Sequence, residues 1–446
     1  MTLERLMPVL TLADYNTRVV MFGTVCLGIA GGVIGVFLLL RGRALLADAV
    51  GHAALPGVAG MFLILLAAGG PARSFPLLMV GALLSGLMGM GCVALITRLT
   101  RISQDAALGI VLSVFFGFGA VLLSVVQKTR GAPAAGLNHF IYGRTASMIR
   151  SDALLIGVAA LVIIISALLL YKEFRLITFD PAYAAGEGWP VHRLDLFLMA
   201  LVVAITVLGL QAVGIVLVIA ILVIPAAAAR FWTDRLWKMI LVSALTGATG
   251  GYVGTAISAV APRLPAGAVI VTVLGTIFLA SILFGTRRGI IVRVLEQRRQ
   301  VRKTLSQNLL RVLFECREEG ASRTAEEQLL YLSQARGWSP RFLKRALRRL
   351  QRGGMIYRIP EGPWHFTERG WLEAMRVTRN HRLWEVYLLE HADVAPVHVD
   401  QGADYIEHVL GDALVAELEE ALPRFGHTLP GSPHELSVIP GDGEMP

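Results

Sequence analysis

Nine apolar stretches, each close to the length that crosses a bilayer, fill the first two thirds of this sequence and stop near Phe284. A spanning helix needs ~20 apolar residues. The stretches run near 18–40, 44–68, 76–97, 105–126, 153–171, 195–210, 212–230, 236–260 and 265–285. Inside hydrocarbon every backbone polar group must be paired internally, so these stretches can only pack as a bundle of helices. The sixth and seventh are short and meet at Gly209–Gln211. They read either as a tight hairpin or as one long broken helix. Beyond Phe284 charged residues return in ordinary proportion, which marks a soluble part behind a membrane part.

Loop arginines and lysines give an orientation. Arg41 and Arg43, Arg98 and Arg101, Lys172, Arg175 and Arg193, Arg230, Arg235 and Lys238, and Arg287 and Arg288 follow alternate spans. With nine spans they all fall on one side, which is then the cytoplasm. The N-terminus lies outside and the C-terminal part is cytoplasmic. Loop 127–152, with Lys128, Arg130, Arg144 and Arg150, falls on the other side. In a membrane protein much of a net charge such as +9 usually marks the cytoplasmic side, so it does not by itself imply nucleic acid. Cys26, Cys92 and Cys316 form no CxxC pair, so no disulfide framework or zinc ribbon is expected. The first residues lack the pattern of a cleaved signal peptide. None of the five lysines follows a glycine, so no phosphate-binding GxxxxGK[ST] loop exists here.

Within the second span, RGRALLADAVGHAALPG carries Asp48 and His52 at i and i+4. On a helix both side chains lie on one face, one turn apart. His52 is eight residues beyond Ala44, or ~12 Å at the helical rise, which is near the middle of the bilayer. Ionisable groups there are costly and mark ion pathways by default. The plainer alternative is an Asp–His hydrogen bond that only ties helices together. Oxygen and imidazole ligands without thiolate or thioether disfavour Cu(I) and suit Mn(II), Zn(II) or Fe(II), with manganese first. Pro56 weakens the helix one turn on. Glycines four apart at 28 and 32 and at 247 and 251 are read as close helix packing, without chemistry.

The residues GVFLLLRGRALLADAVGHAALPG resemble the opening of the permease subunits of the ABC importers for manganese, zinc and iron. DAALGIVLSVFFGFGAVLLS and LQAVGIVLVIAILVIPAAAAR agree in the right order, so the resemblance covers roughly residues 15–285. It implies that Asp48 and His52 line the metal pathway. It also implies that the short cytoplasmic loop at Ala184, Ala185, Gly186, Gly188 and Pro190 docks into an ATPase, although the family more often has a Leu-Gly step at Glu187-Gly188. The implied partners are an ABC ATPase chain, an extracytoplasmic metal-binding protein and a second permease copy or related permease. The chain is then a transport subunit, not an enzyme. It carries no covalent cofactor, and a divalent metal serves as cargo and regulator.

The last third begins with a basic stretch, TRRGIIVRVLEQRRQ, suited to an anionic lipid surface. Two helices then precede GWSPRFLKRALRRLQRGG, with Ser339 as cap, Pro340 at the first position and Gly353–Gly354 at the end. YRIPEGPWHFTERG follows as a wing. This is winged-helix order. Lys344, Arg345, Arg348 and Arg349 would suit DNA reading or equally a solvated face near lipid. Two further helices hold His381 and Glu385, then Asp404, Glu407 and His408, at helical spacings that fit either a metal site or surface ion pairs. HRLWE, DYIEH and PHELSVIPG after a winged helix resemble the diphtheria-toxin-repressor family of metal-responsive repressors, over roughly 304–441. The resemblance implies metal at His381, Asp404, Glu407 and His408, while Gln307 and Asn308, which are poor ligands, stand where the family's first helix gives one, so the site is incomplete or weak.

The expected fold is thus an all-α polytopic membrane domain of about nine helices, followed by a cytoplasmic α+β winged-helix and helical metal-sensor domain. The expected boundaries are 1–285, a linker helix at 286–303, 304–370 and 371–446. The leading function is a metal-importer permease with a sensing tail. The other is a membrane-anchored metal-responsive transcription regulator.

Overall fold

A computed structural model describes residues 14–69, 75–128, 148–261, 264–318, 320, 324–360 and 362–391. They form two compact units, which divide at Arg293/Val294.

The first unit is helical. Its elements are α1 (Tyr15–Leu40), α2 (Leu46–Ala67), α3 (Phe75–Leu99), α4 (Gln104–Lys128), α5 (Arg150–Leu169), α6 (Tyr171–Phe179), α7 (Pro181–Gly186), α8 (Val191–Val213), α9 (Ile215–Arg230), α10 (Leu236–Val260) and α11 (Ala266–Phe284). Among the described residues eight helices are long and apolar enough to cross a membrane, and α9 is a shorter apolar helix of 16 residues. The open question at the sixth and seventh stretches resolves as a tight turn. Its hinge is Gly214, at φ +84°, not Gly209–Gln211. Gly209 stays inside α8, where a Cβ would lie 2.6 Å from Val218 across the turn. The chain therefore folds back on itself.

Helix α1 is central and packs on α5, α9 and α10, while α2 packs on α3 and α4; α8 touches both groups. In lipid, helices associate through close packing and interhelical hydrogen bonds. A Cβ on Gly28 or Gly247 would collide with the other's backbone, and one on Gly32 would lie 2.6 Å from Ser243 O. At this closeness Ser243 Oγ donates to Gly32 O (2.7 Å), and the hydroxyls of Thr24 and Thr255 meet at 3.0 Å. Large apolar side chains such as Ile64, Val114, Leu161 and Leu279 are exposed, as expected of a surface facing hydrocarbon.

The second unit takes winged-helix order. Helix α12 (Ile290–Glu318) is continuous, so the basic linker and the first soluble helix are one element. It leads to α13 (Ala325–Arg336), α14 (Pro340–Arg352), the antiparallel strands β1 (Ile356–Arg358) and β2 (Trp364–Phe366), and α15 (Glu368–His391). Thr324 and Glu327 close a reciprocal cap at the start of α13. Leu309, Leu313, Leu332, Leu343, Leu347, Ile356 and Met375 build the core. Gln328 clamps the wing, since its Oε1 accepts from Trp364 N (2.8 Å) and its Nε2 donates to Trp364 O (3.3 Å).

Candidate metal pathway and docking surfaces

Helix α2 presents Asp48 and His52 as the spacing requires. Asp48 Oδ1 and His52 Nε2 lie 3.4 Å apart, with both side chains between a quarter and a third exposed. Two ligand atoms each ~2.1 Å from one ion, at the tetrahedral angle, are ~3.4 Å apart. The separation therefore suits a shared divalent ion, and it is long for a direct hydrogen bond. His52 Nδ1 is buried with no hydrogen-bond partner among the described residues. Phe116 of α4 meets the imidazole edge to face at 5.0 Å and 85°.

Pro56 lies inside α2 without ending it. Proline has no N–H, so the carbonyl of His52 loses its i+4 donor. The walls there are close. A Cβ on Gly57 would collide with Gly81 of α3, and one on Gly119 of α4 would lie 3.0 Å from Pro56 Cδ. Ser85 Oγ donates to Ala53 O at 2.6 Å, which ties α3 to α2 at the same level. Among the described residues no three His, Cys, Asp or Glu side chains converge on a point. Among the described residues Asp48 and His52 thus stand as a pair, short of the four or more ligands a divalent transition ion takes.

At one end of the bundle the α1–α2 turn carries a clamp that the sequence did not reveal. Arg41 and Arg43 both donate to Asp195 Oδ1 on α8, the latter at 2.6 Å, and all three side chains are largely buried. Burial pulls the Arg41 guanidinium below its ordinary value, Asp195 opposes this and Arg43 adds to it. Linear spacing gave no signal for a partner some 150 residues away.

The proposed docking stretch forms a short helix, α7, capped by Asp180, whose carboxylate accepts from Tyr183 N at 2.8 Å. Ala184 is buried; Ala185 and Gly186 are exposed. Gly188, at φ +81°, and Pro190 lie in the turn that follows. Helices α6 and α7 are thus a compact ledge between two spans. Beside it a cavity of about 960 Å³ is lined by Tyr171, Phe179, Trp189 and Trp237, among others.

In the second unit, Lys344, Arg345, Arg348 and Arg349 all point to solvent, while Leu343, Ala346, Leu347 and Leu350 face the core. His381 is buried on α15. Glu385 belongs to the same helix. Asp404, Glu407 and His408 lie outside the described residues. At the first-helix position Gln307 Nε2 donates to Glu373 Oε1 at 3.0 Å. Gln307 Oε1 and Asn308 Oδ1 are buried without a hydrogen-bond partner among the described residues. Two buried amide oxygens are neutral donors of the kind hard cations accept.

Comparison with known proteins adds the following. Residues 13–285 match the ABC 3 transport family. Residues 367–435 match the metal binding and dimerisation domain of iron-dependent repressors. The manganese transport system membrane protein MntC of Bacillus subtilis is 37% identical over 93% of this chain and 92% of its own length. The zinc transport system membrane protein TroC of Treponema pallidum is 42% identical over 64% of this chain and 95% of its own. Among solved structures, PsaBC from Streptococcus pneumoniae in complex with Fab matches with a TM-score of 0.55 and 27% identity, over 65% of this chain and 98% of that one.

Proposed function

This chain belongs to the ABC 3 transport family, and from that premise we propose that it is the membrane permease of a binding-protein-dependent importer of divalent transition metals. Manganese is the first choice of cargo, with zinc or iron as the others. One observation carries the reading: Asp48 and His52 stand 3.4 Å apart on one face of a membrane helix, and His52 Nδ1 has no hydrogen-bond partner among the described residues. Relatives whose names give manganese and zinc agree with this donor set.

Because the described residues of each chain offer two side-chain ligands, the ion is held between two permease copies or is completed by water. A multi-pass permease of this family is a transport subunit, and ATP hydrolysis belongs to a separate chain. That ATPase docks on the ledge at Ala184–Pro190, and an extracytoplasmic binding protein delivers the ion at the opposite face. The N-terminus lies outside and the tail lies in the cytoplasm, following the arginine-rich loops. His381, Asp404, Glu407 and His408, with Glu385 nearby, would hold a regulatory metal, and the neutral amides of Gln307 and Asn308 at the first-helix position would leave that site weak. Its role is to report cytoplasmic metal to the transporter.

The exposed basic face of α14 favours one second reading, a tail that still binds DNA. The discriminating experiment reconstitutes the full chain with its ATPase and binding protein. Metal-stimulated ATP hydrolysis supports the permease reading. Metal-dependent binding of a promoter fragment by the full chain, without metal-stimulated hydrolysis, supports the regulator.

A further inference from the structure

We propose that residues 290–303, the first half of α12, form an amphipathic helix seated on the anionic surface of the bilayer. This does not depend on which ion the protein carries.

The helix starts from a fixed place. Span α11 ends at Phe284. The next residues are strapped to the α9–α10 turn: Arg287 N and Arg288 N donate to Phe231 O at 3.0 and 3.3 Å, and Thr286 Oγ1 donates to Trp232 O at 3.1 Å. The Arg288 guanidinium meets Asp234 at 2.9 Å. Trp232 and Trp237 flank this strap with exposed rings, the residue type that marks a membrane–water boundary. Helix α12 therefore begins at interface depth.

Its first turns carry an apolar face that stays exposed among the described residues. Ile290 is 50% exposed, Ile291 40%, Val294 38% and Leu295 59%. These positions are i, i+1, i+4 and i+5, which is one side of a helix. The same side continues through Arg298 and Arg302, in steps of four. The face thus changes from apolar to basic with distance from the span. Between 286 and 303 there are seven Lys and Arg residues against one acid, Glu296. An apolar stripe embedded in basic charge is the composition of an interfacial helix, and anionic headgroups are its electrostatic complement. Long arginine stems let the stripe sink while the guanidinium groups reach the phosphates.

The test uses the full chain with Cys26, Cys92 and Cys316 replaced and one nitroxide at position 295 or 302. Nanodiscs contain phosphatidylcholine alone or with a third of phosphatidylglycerol. In the anionic discs the label at 295 should be several-fold more accessible to oxygen than to an aqueous nickel chelate. That ratio should fall in neutral discs and in high salt, which screens the charges. The label at 302 should sit shallower than the one at 295. Arg298→Glu with Arg302→Glu should abolish the dependence on anionic lipid without changing the melting temperature. Equal aqueous exposure of position 295 in both discs overturns the proposal. Equal shielding in both overturns it too, because the face would then be covered by protein or held by apolar partition alone. An unchanged lipid dependence in the double variant has the same consequence.

Discussion

Arg43 of the α1–α2 turn donates to Asp195 Oδ1 of α8 at 2.6 Å, and Arg41 reaches the same oxygen. One carboxylate holds two buried guanidinium groups. It also fixes the end of α1 and the start of α2, and so the register of the helix that bears Asp48 and His52. Removing one partner of a buried pair strands charge and costs about 3–5 kcal/mol. Asp195→Ala should therefore lower the melting temperature in detergent markedly, while Arg43→Lys should cost less. A melting temperature for Asp195→Ala equal to wild type would remove the clamp from this account.

Gly57 and Gly81 let α2 and α3 approach until a side chain on either would strike the other's backbone. Backbone cannot give as a side-chain tip can, and overpacking costs about 1–3 kcal/mol. Gly57→Ala should destabilise the bundle by at least that much and should disturb the neighbouring Pro56. Gly91 of α3 has open space where a Cβ would go. Gly91→Ala should stabilise by about 1 kcal/mol through helix propensity alone. Melting curves of the two variants should move in opposite directions.

In the second unit burial pushes the Glu373 carboxyl up, but hydrogen bonds from Arg376 and Gln307 outweigh it and hold the group below its ordinary value of 4.5. A carboxylate with a lowered folded pKa contributes stability above the unfolded value and loses it as pH falls through the folded one. The contact between α12 and α15 should therefore be intact near neutrality and loosen below about pH 4.5. Hydrogen exchange of peptides from 303–318 and 368–391 in the full chain should speed up over that range. Glu373→Gln should flatten the change, and identical profiles would contradict the assignment.

Much of this was readable in the sequence. Apolar length gave the spans, because lipid leaves the backbone no alternative to helix. The i, i+4 spacing placed Asp48 and His52 on one face, which needs only local geometry. Tertiary relations were not readable: Phe116 against His52, Asp195 beneath two arginines, and the turn at Gly214 in place of Gly209–Gln211. Each depends on which distant helix arrives as a neighbour. The linker at 286–303 was read as separate from the helix that follows because the residue types change there, from basic to amphipathic. The backbone has no breaker at that point, and α12 runs through.

The tail offers a functional prediction. A chain cut after Gln300 keeps the spans and about three turns of α12. It should transport as fast as the full chain at low cytoplasmic metal, but should not slow when that metal is raised. Asp404→Ala with His408→Ala should match the cut. A tenfold inhibition corresponds to ~1.4 kcal/mol of coupling, within reach of one gained or lost ligand. Initial uptake into proteoliposomes, with metal varied on the tail's face, gives the comparison. Equal inhibition of full-length and cut protein would refute feedback through the tail.

The central claim is that Asp48 and His52 carry the ion. The direct measurement is radioactive manganese uptake by proteoliposomes holding the permease, its ATPase and its binding protein, with wild type beside Asp48→Asn and His52→Ala. Both substitutions keep the helix; Asp48→Asn removes the ligand's charge and His52→Ala removes a ligand, and no third His, Cys, Asp or Glu among the described residues joins the pair to replace either. Uptake should fall by at least tenfold in each variant, while ATPase binding and melting temperature stay close to wild type. Wild-type uptake by both variants would contradict the account.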